Sequence, residues 1–279
     1  MSAEPLLELR EVGRTFTSGI LARRRVNAVV DVSFAMAAER PEVFAVIGES
    51  GSGKTTLARM ILGTIAPSAG SIRFRGRDLA SLHSGRDRRE FMRAVQPIFQ
   101  NPFEAFNPLK RVDRYLYASA HRFAGAHGRA EAERLADAAL HQVGLTLAEV
   151  KGRFPHELSG GQLQRAAIAR ALIPRPSLIV ADEPVSMIDA SLRMTVTNLF
   201  RSLRDQLGVS IVYITHDLAT AYYVSDRIII MRKGEVVERG DAAEVLRAPQ
   251  HPYSILLKES VLSIDGPNGG DAIPSRATS

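Results

Sequence analysis

Residues 43–62 hold the most restrictive arrangement in the chain. Val43-Phe44-Ala45-Val46-Ile47 is an uninterrupted apolar run that passes directly into Gly48-Glu49-Ser50-Gly51-Ser52-Gly53-Lys54-Thr55 and then into a helical pattern over Thr55 to Leu62. A run with no polar face is a strand buried on both sides, as in parallel sheets. Buried strand, glycine-rich loop and helix in that order open an α/β fold. The loop matches G-x-x-x-x-G-K-[ST] in full and in the strand-to-helix setting that pattern requires. Glycines let the backbone curl so that successive N–H groups point inward at phosphate oxygens. The following helix presents its positive end to the same anion. Lys54 supplies a full charge to the β- and γ-phosphates, and Thr55 offers a hydroxyl to Mg²⁺. Gly48, Glu49, Ser50, Gly51, Ser52, Gly53, Lys54, Thr55 and Thr56 are therefore the candidate nucleotide-binding residues.

A phosphate loop of this kind needs a carboxylate for the metal at the end of a neighbouring strand. Leu178-Ile179-Val180-Ala181-Asp182 provides one, with apolar residues to bury the strand and Asp182 emerging at its end. Asp182 is the expected Mg²⁺ residue, acting through water. Glu183 stands beside it, where a second carboxylate can orient and deprotonate an attacking water. Adjacent acids also serve as loop or helix caps. An apolar strand running into Asp-Glu, in a chain that already carries the phosphate loop, points to nucleotide hydrolysis.

The rest of the 279-residue chain is organised around this core. Leu6 to Val12, Val26 to Phe34 and Ser71 to Phe74 read as strands joined by turns. From about Asn101 to Leu158 the pattern becomes helical and polar. Gly128 to Leu145 is predicted to be an amphipathic helix with Leu135, Ala139 and Val143 on one stripe. Strand signals return at Ser177 to Ala181, Val209 to Thr215 and Arg227 to Met231, and the last fifteen residues read as a disordered tail. With 45% hydrophobic residues and no cysteine, the chain can build a core but has no disulfides, thiolate zinc sites or cysteine-held clusters. No run approaches the roughly 18 apolar residues of a membrane helix, and the N-terminus lacks signal-peptide order, so a soluble protein is expected. The net charge of +6 is mild; Arg23-Arg24-Arg25 and Arg86, Arg88, Arg89 could meet nucleic acid or lipid headgroups, but no aromatics interleave with them.

Leu158-Ser159-Gly160-Gly161-Gln162 adds a more specific feature. Ser159 can cap a helix while Gln162, three residues on, reaches back. Two glycines in a first turn weaken a helix, and their benefit is close approach of an anion to bare N–H groups. This pentapeptide is similar to the signature motif of ABC ATPases, and nearly the whole chain resembles that family. The resemblance implies a RecA-like P-loop NTPase core with an N-terminal antiparallel β subdomain and an inserted helical subdomain at about 101–158. It places the nucleotide-binding domain at 1–240 and a short C-terminal extension with its tail at 241–279. In that family two such domains pair head to tail, each ATP lying between one subunit's phosphate loop and the other's signature. Ser159, Gly160, Gly161 and Gln162 are then expected at the nucleotide held by the partner. Phe16 lies where the family places an adenine-stacking aromatic, although a lone Phe in a strand is more often core. Gln100 matches the glutamine loop that contacts Mg²⁺ or water, Asp189 the acid of the loop that communicates across the dimer, and His216 the switch histidine at the γ-phosphate. Arg40-Pro41-Glu42 departs from the Gly-Glu common before the core strand, and Pro41 changes the turn there.

Within the family, Gln100-Asn101-Pro102-Phe103 through Asn107-Pro108, Asp182-Glu183-Pro184-Val185-Ser186 and His251-Pro252-Tyr253 resemble the peptide, nickel and oligosaccharide importer group. The resemblance implies ATP and Mg²⁺ as cofactors and transmembrane permease subunits as partners. It adds a second nucleotide-binding subunit, identical or homologous, an indirect solute-binding protein, and a peripheral place on the cytoplasmic face of the membrane. Two alternatives have sequence tests. A soluble, non-transport ABC ATPase acting on ribosomes or DNA carries two nucleotide domains or a long coiled-coil insert; neither is present, and no nucleic-acid partner is expected. The intact Glu183 and His216 argue against a non-hydrolytic regulatory subunit that only binds ATP within a heterodimer, and an ATPase assay decides between the two.

Overall fold

The computed structural model describes residues 4–18 and 24–262, so Arg23 and the tail fall outside the described residues. In chain order the elements are β1 (Pro5–Ser18), β2 (Arg24–Ala37), β3 (Val43–Ile47), α1 (Lys54–Ile61), β4 (Ala69–Phe74), β5 (Arg77–Asp78), α2 (Gly85–Ala94), β6 (Val95–Ile98), α3 (Val112–Phe123), α4 (Arg129–Gln142), α5 (Leu147–Val150), α6 (Gly160–Leu172), β7 (Leu178–Asp182), α7 (Ala190–Leu207), β8 (Ser210–Thr215), α8 (Leu218–Val224), β9 (Arg227–Arg232), β10 (Glu235–Asp241), α9 (Ala242–Arg247) and α10 (Pro252–Leu262). Two compact units share them, one formed by 1–81 with 212–279 and the other by 82–211; β8 carries the chain from the second back into the first. Among the described residues, no helix is long and apolar enough to cross a membrane.

The first unit holds an antiparallel sheet in the order β2-β1-β4-β5, matching the antiparallel β subdomain the resemblance implies. Leu9 pairs with Phe34 on one side and with Ile72 on the other. All three belong to an apolar patterning that buries Leu7, Leu9, Val12 and Ile72. The β1–β2 register slips at several points, and two residues near the slips, Glu11 and Asp31, have positive φ of 50° and 48°. Bulges of this kind increase local twist and bend long strands.

Beside that sheet's chain segments, β3 pairs in parallel with β9, Ala45 opposite Ile228 and Ile47 opposite Ile230, and β10 pairs antiparallel with β9. Every residue of β3 is buried, as its unbroken apolar run requires. Ala45, Ile47, Ile228 and Ile230 form one core cluster with residues of α8, α9 and α10. Each large aliphatic side chain buried here contributes about 1.5–3 kcal/mol. Phe34 stacks on Phe44 at 4.3 Å between centroids.

In the second unit β6 and β7 are parallel neighbours, Val95 opposite Leu178 and Ile98 opposite Ala181. The helices α3, α4 and α6 pack on one another. Helix α4 buries Ala132, Ala136, Ala139 and Leu140, whereas Leu135 is only half-buried. Of the expected stripe, Ala139 and Val143 are buried and Leu135 is half-buried; the buried face extends beyond it to Ala132, Ala136 and Leu140. Helix α7 ends at Gly208 with φ 66°, a left-handed C-cap.

Candidate active site

In the first unit, the loop after β3 folds around its own lysine. Lys54 opens α1 and is 4% exposed. Its ammonium donates to the carbonyls of Gly48 at 2.7 Å and Glu49 at 2.8 Å. An ammonium held this far from water needs such partners, because an uncompensated buried charge is strongly disfavoured. The curl is tightened by the Ser52 N–H donating to the Glu49 carbonyl at 3.2 Å. Glycine is required at two points for lack of room. A Cβ on Gly53 would lie 2.1 Å from the Ala28 carbonyl oxygen, and one on Gly48 would lie 2.3 Å from that of Met231. Gly53 also has φ 104°, which an L side chain rarely adopts. Thr55 is exposed at the mouth of this loop.

His216 and Phe16 also belong to the first unit. His216 is exposed directly after β8, whose residues are all buried. Its position is fixed on both sides. The Asp217 N–H donates to the Thr215 hydroxyl at 3.0 Å, and the Asp217 carboxylate caps α8 by accepting from Ala219 at 2.9 Å and Thr220 at 3.2 Å. Phe16 is 39% exposed on β1, with the Arg14 guanidinium 4.8 Å from its ring centroid. It is therefore a surface aromatic and not part of the core.

The second unit holds the carboxylates. The four residues before Asp182 in β7 are buried and Asp182 itself is half-buried, so the strand delivers one acid to its end as expected. Glu183 follows with a φ of 46°. For a residue with a Cβ this conformation costs on the order of 1 kcal/mol and persists only where surroundings impose it. Three contacts do so. Gln100 Nε2 donates to Glu183 Oε2 at 2.9 Å, and the Ser186 N–H and hydroxyl donate to the Glu183 carbonyl at 3.2 and 3.0 Å. Sequence reading named Gln100 and Glu183 separately; the fold joins them. A further residue escaped that reading. Gln164 on α6 is 0% exposed and donates from Nε2 to the Pro184 carbonyl at 2.9 Å, tying the signature helix to the loop beyond Glu183. A glutamine within the alanine-rich segment 160–172 was its only sequence signal.

The signature forms the capping box its spacing predicts. Gln162 N–H donates to the Ser159 hydroxyl at 3.2 Å, and Ser159 N–H donates to Gln162 Oε1 at 3.1 Å. The two glycines differ. A Cβ on Gly160 would meet nothing within 4 Å, leaving its backbone open, whereas one on Gly161 would lie 2.8 Å from Leu192 Cδ1. Gly161 thus has a packing reason to be glycine in addition to any anion contact. Asp189 is exposed as the N-terminal flanking residue of α7 and makes no side-chain cap hydrogen bond.

Taken unit by unit, these groups are of the chemical kinds that suit a nucleoside triphosphate and its magnesium. The crowded glycine loop around Lys54 offers N–H groups and one fixed positive charge, the donor set for phosphate oxygens. The Thr55 hydroxyl, the Gln100 carbonyl end and the Asp182 carboxylate are hard oxygen donors of the kind Mg²⁺ takes in ones and twos alongside phosphates and water. A cluster of three or more protein His, Cys, Asp or Glu residues is not needed for such an ion, and none occurs among the described residues.

The ABC transporter family profile matches residues 31–186. The oligopeptide transport ATP-binding protein OppF of Haemophilus influenzae is 38% identical over 264 residues, covering 92% of this chain and 78% of that protein. The oligopeptide transport ATP-binding protein AppF of Bacillus subtilis is 37% identical over 262 residues, with the same coverage of 92% and 78%. Among solved structures, the dimeric ATP-binding cassette MJ0796 in a post-hydrolysis state bound to ADP and Pi superimposes with a TM-score of 0.75 at 26% identity, covering 85% of this chain and 98% of that one. Motif order, fold and sequence agree, and the chain belongs to the ABC transporter family, among its ATP-hydrolysing subunits.

Proposed function

We propose that this chain hydrolyses ATP to drive uptake of peptides through separate transmembrane permease subunits, working on the cytoplasmic face of the membrane. The observation that carries the reading is the Glu183 carboxylate, held at the end of a buried strand by Gln100 at 2.9 Å. Lys54 balances charge on the β- and γ-phosphate oxygens, the loop from Gly48 to Thr56 cradles them with amides other than those of Glu49 and Ser52, which are bonded within the fold, and His216 donates to the γ-phosphate. Phe16 stacks on the adenine. Thr55, Gln100 and Asp182 would hold magnesium, which would supply charge neutralisation to the phosphate groups. Glu183 accepts a proton from water as that water's oxygen bonds the γ-phosphorus and the bond to the ADP oxygen breaks. Gln100 orients the carboxylate for this transfer.

The working unit is a pair of such subunits, identical or homologous. Ser159, Gly160, Gly161 and Gln162 of one contact the nucleotide held by the other, and Asp189 communicates between them. Two ATP close the pair, the permease changes its facing, and hydrolysis resets it, with a solute-binding protein delivering the cargo. The names of the relatives favour peptides over nickel or oligosaccharides. Uptake of labelled peptides, β-linked oligosaccharides and nickel by cells carrying wild-type or Lys54→Ala protein tests this. Loss of peptide uptake alone is expected; peptide uptake at the wild-type rate contradicts the proposal.

A further inference from the structure

A single phenol fastens the C-terminal helix to the phosphate loop. Tyr253, the second residue of α10, is 2% exposed and packs in the core cluster with Ala45, Ile47 and Ile230. Its hydroxyl accepts a hydrogen bond from the backbone N–H of Glu49 at 3.0 Å. The Arg232 guanidinium lies 4.9 Å from the centroid of its ring. The approach to α10 is fixed as well. The Glu238 carboxylate on β10 accepts from the N–H groups of Gln250 at 2.8 Å and His251 at 3.2 Å. His251 Nδ1 in turn accepts from the Tyr253 N–H at 3.1 Å.

The Glu49 N–H belongs to the same peptide group as the Gly48 carbonyl, and that carbonyl accepts from the Lys54 ammonium at 2.7 Å. One peptide plane is therefore held at its donor end by Tyr253 and at its acceptor end by Lys54. Hydrogen bonds in such a chain polarise one another, so the phenol both orients the plane and strengthens its grip on the lysine. Burial pushes the Tyr253 phenol above its ordinary range.

We propose that Tyr253 is a positioning residue for the phosphate loop: through the Gly48–Glu49 peptide its hydroxyl sets the orientation of Lys54, and so the affinity for nucleotide phosphates. The proposal rests on the reading of that loop as the ATP cradle. It gives the C-terminal extension a part in nucleotide binding that no sequence motif assigns to it. Tyr253→Phe keeps the ring in the core and removes only the hydroxyl.

The test is titration of the full-length protein with a fluorescent ATP analogue, together with steady-state hydrolysis and thermal melting. Tyr253→Phe is expected to raise the Kd and the KM for ATP about three- to tenfold, the worth of one hydrogen bond, with kcat and melting temperature near wild type. Val245→Ala, which cuts the same core cluster away from the loop, is expected to lower the melting temperature and leave the Kd unchanged. A wild-type Kd in Tyr253→Phe overturns the proposal, as does a fall in kcat with KM unchanged, or equal weakening of binding by Val245→Ala. Lys54→Ala measured alongside separates the two levels: unchanged affinity in that variant rejects the cradle reading itself.

Discussion

Gln100 Nε2 lies 2.9 Å from Glu183 Oε2, and that one hydrogen bond joins a residue after β6 to the acid after β7. Because β6 and β7 are parallel neighbours, with Ile98 opposite Ala181, both residues leave the sheet at the same end. The donor is a neutral amide, so it fixes the carboxylate's rotamer without neutralising its charge. Gln100→Leu keeps a comparable volume and removes the donor. Hydrolysis in this variant is expected to fall about tenfold or more, the worth of a hydrogen bond to a charged group discounted for the exposure of Gln100, and ATP affinity in the presence of magnesium falls as well, because the amide oxygen proposed for the ion is also lost. Turnover and nucleotide titration on the same preparation check this, and wild-type turnover would mean that other contacts suffice to hold Glu183.

The phosphate loop should be intolerant of even one methyl group at Gly53. Its Cβ would lie 2.1 Å from the Ala28 carbonyl oxygen in a backbone conformation that disfavours any side chain. Gly53→Ala is expected to cost at least about 2 kcal/mol in denaturant unfolding and to abolish measurable nucleotide binding, through combined backbone strain and displacement of β2. Gly51→Ala is the comparison: its φ is also positive at 80°, but a Cβ there meets nothing within 4 Å, so its effect on stability should be smaller.

Stability should depend on pH through a buried acid just before β3. Glu42 is 7% exposed and pairs with Arg227 at 3.2 Å, and Arg227 also donates to the Ala35 carbonyl at 3.0 Å. Burial raises the Glu42 carboxyl above its ordinary range; the Arg227 guanidinium opposes that, and nearby Asp226 adds to it. A carboxyl raised in the fold favours the folded state below its unfolded pKa and loses that contribution as pH rises through the folded value. Removing Arg227 raises it further. Arg227→Ala is therefore expected to destabilise by about 1–2 kcal/mol at pH 8 and by clearly less at about pH 4, below the raised range of the Glu42 carboxyl. Urea unfolding at both pH values checks the sign; an equal or larger loss at low pH would rule out Glu42 as the cause.

Much of the site was legible because its chemistry is local. The phosphate loop, the strand into Asp182 and the signature capping box each lie within a short segment whose spacing dictates the geometry, and the capping box formed on Ser159 and Gln162 as that spacing requires. What the sequence hid depends on distance along the chain. The Glu49–Tyr253 bond spans 204 residues, and the Gln164–Pro184 bond links a helix interior to a loop. Neither pair has a periodicity or motif of its own. The stripe of α4 was legible only in part: Ala139 and Val143 are buried as its spacing predicts and Leu135 is half-buried, but the buried face also takes in Ala132 and Ala136, small residues with a weak hydrophobic signal. The positive φ of Glu183 had no signal at all, since a glutamate there is not a residue that local preference would place in the left-handed region.

The most direct measurement is ATP turnover by Glu183→Gln beside its ATP affinity. The change keeps shape and hydrogen-bonding reach to Gln100 while removing the proton acceptor. If Glu183 is the base that activates water, hydrolysis falls on the order of 10²–10⁴-fold and ATP still binds with near wild-type affinity. Turnover close to wild type would contradict the account of how this chain hydrolyses ATP.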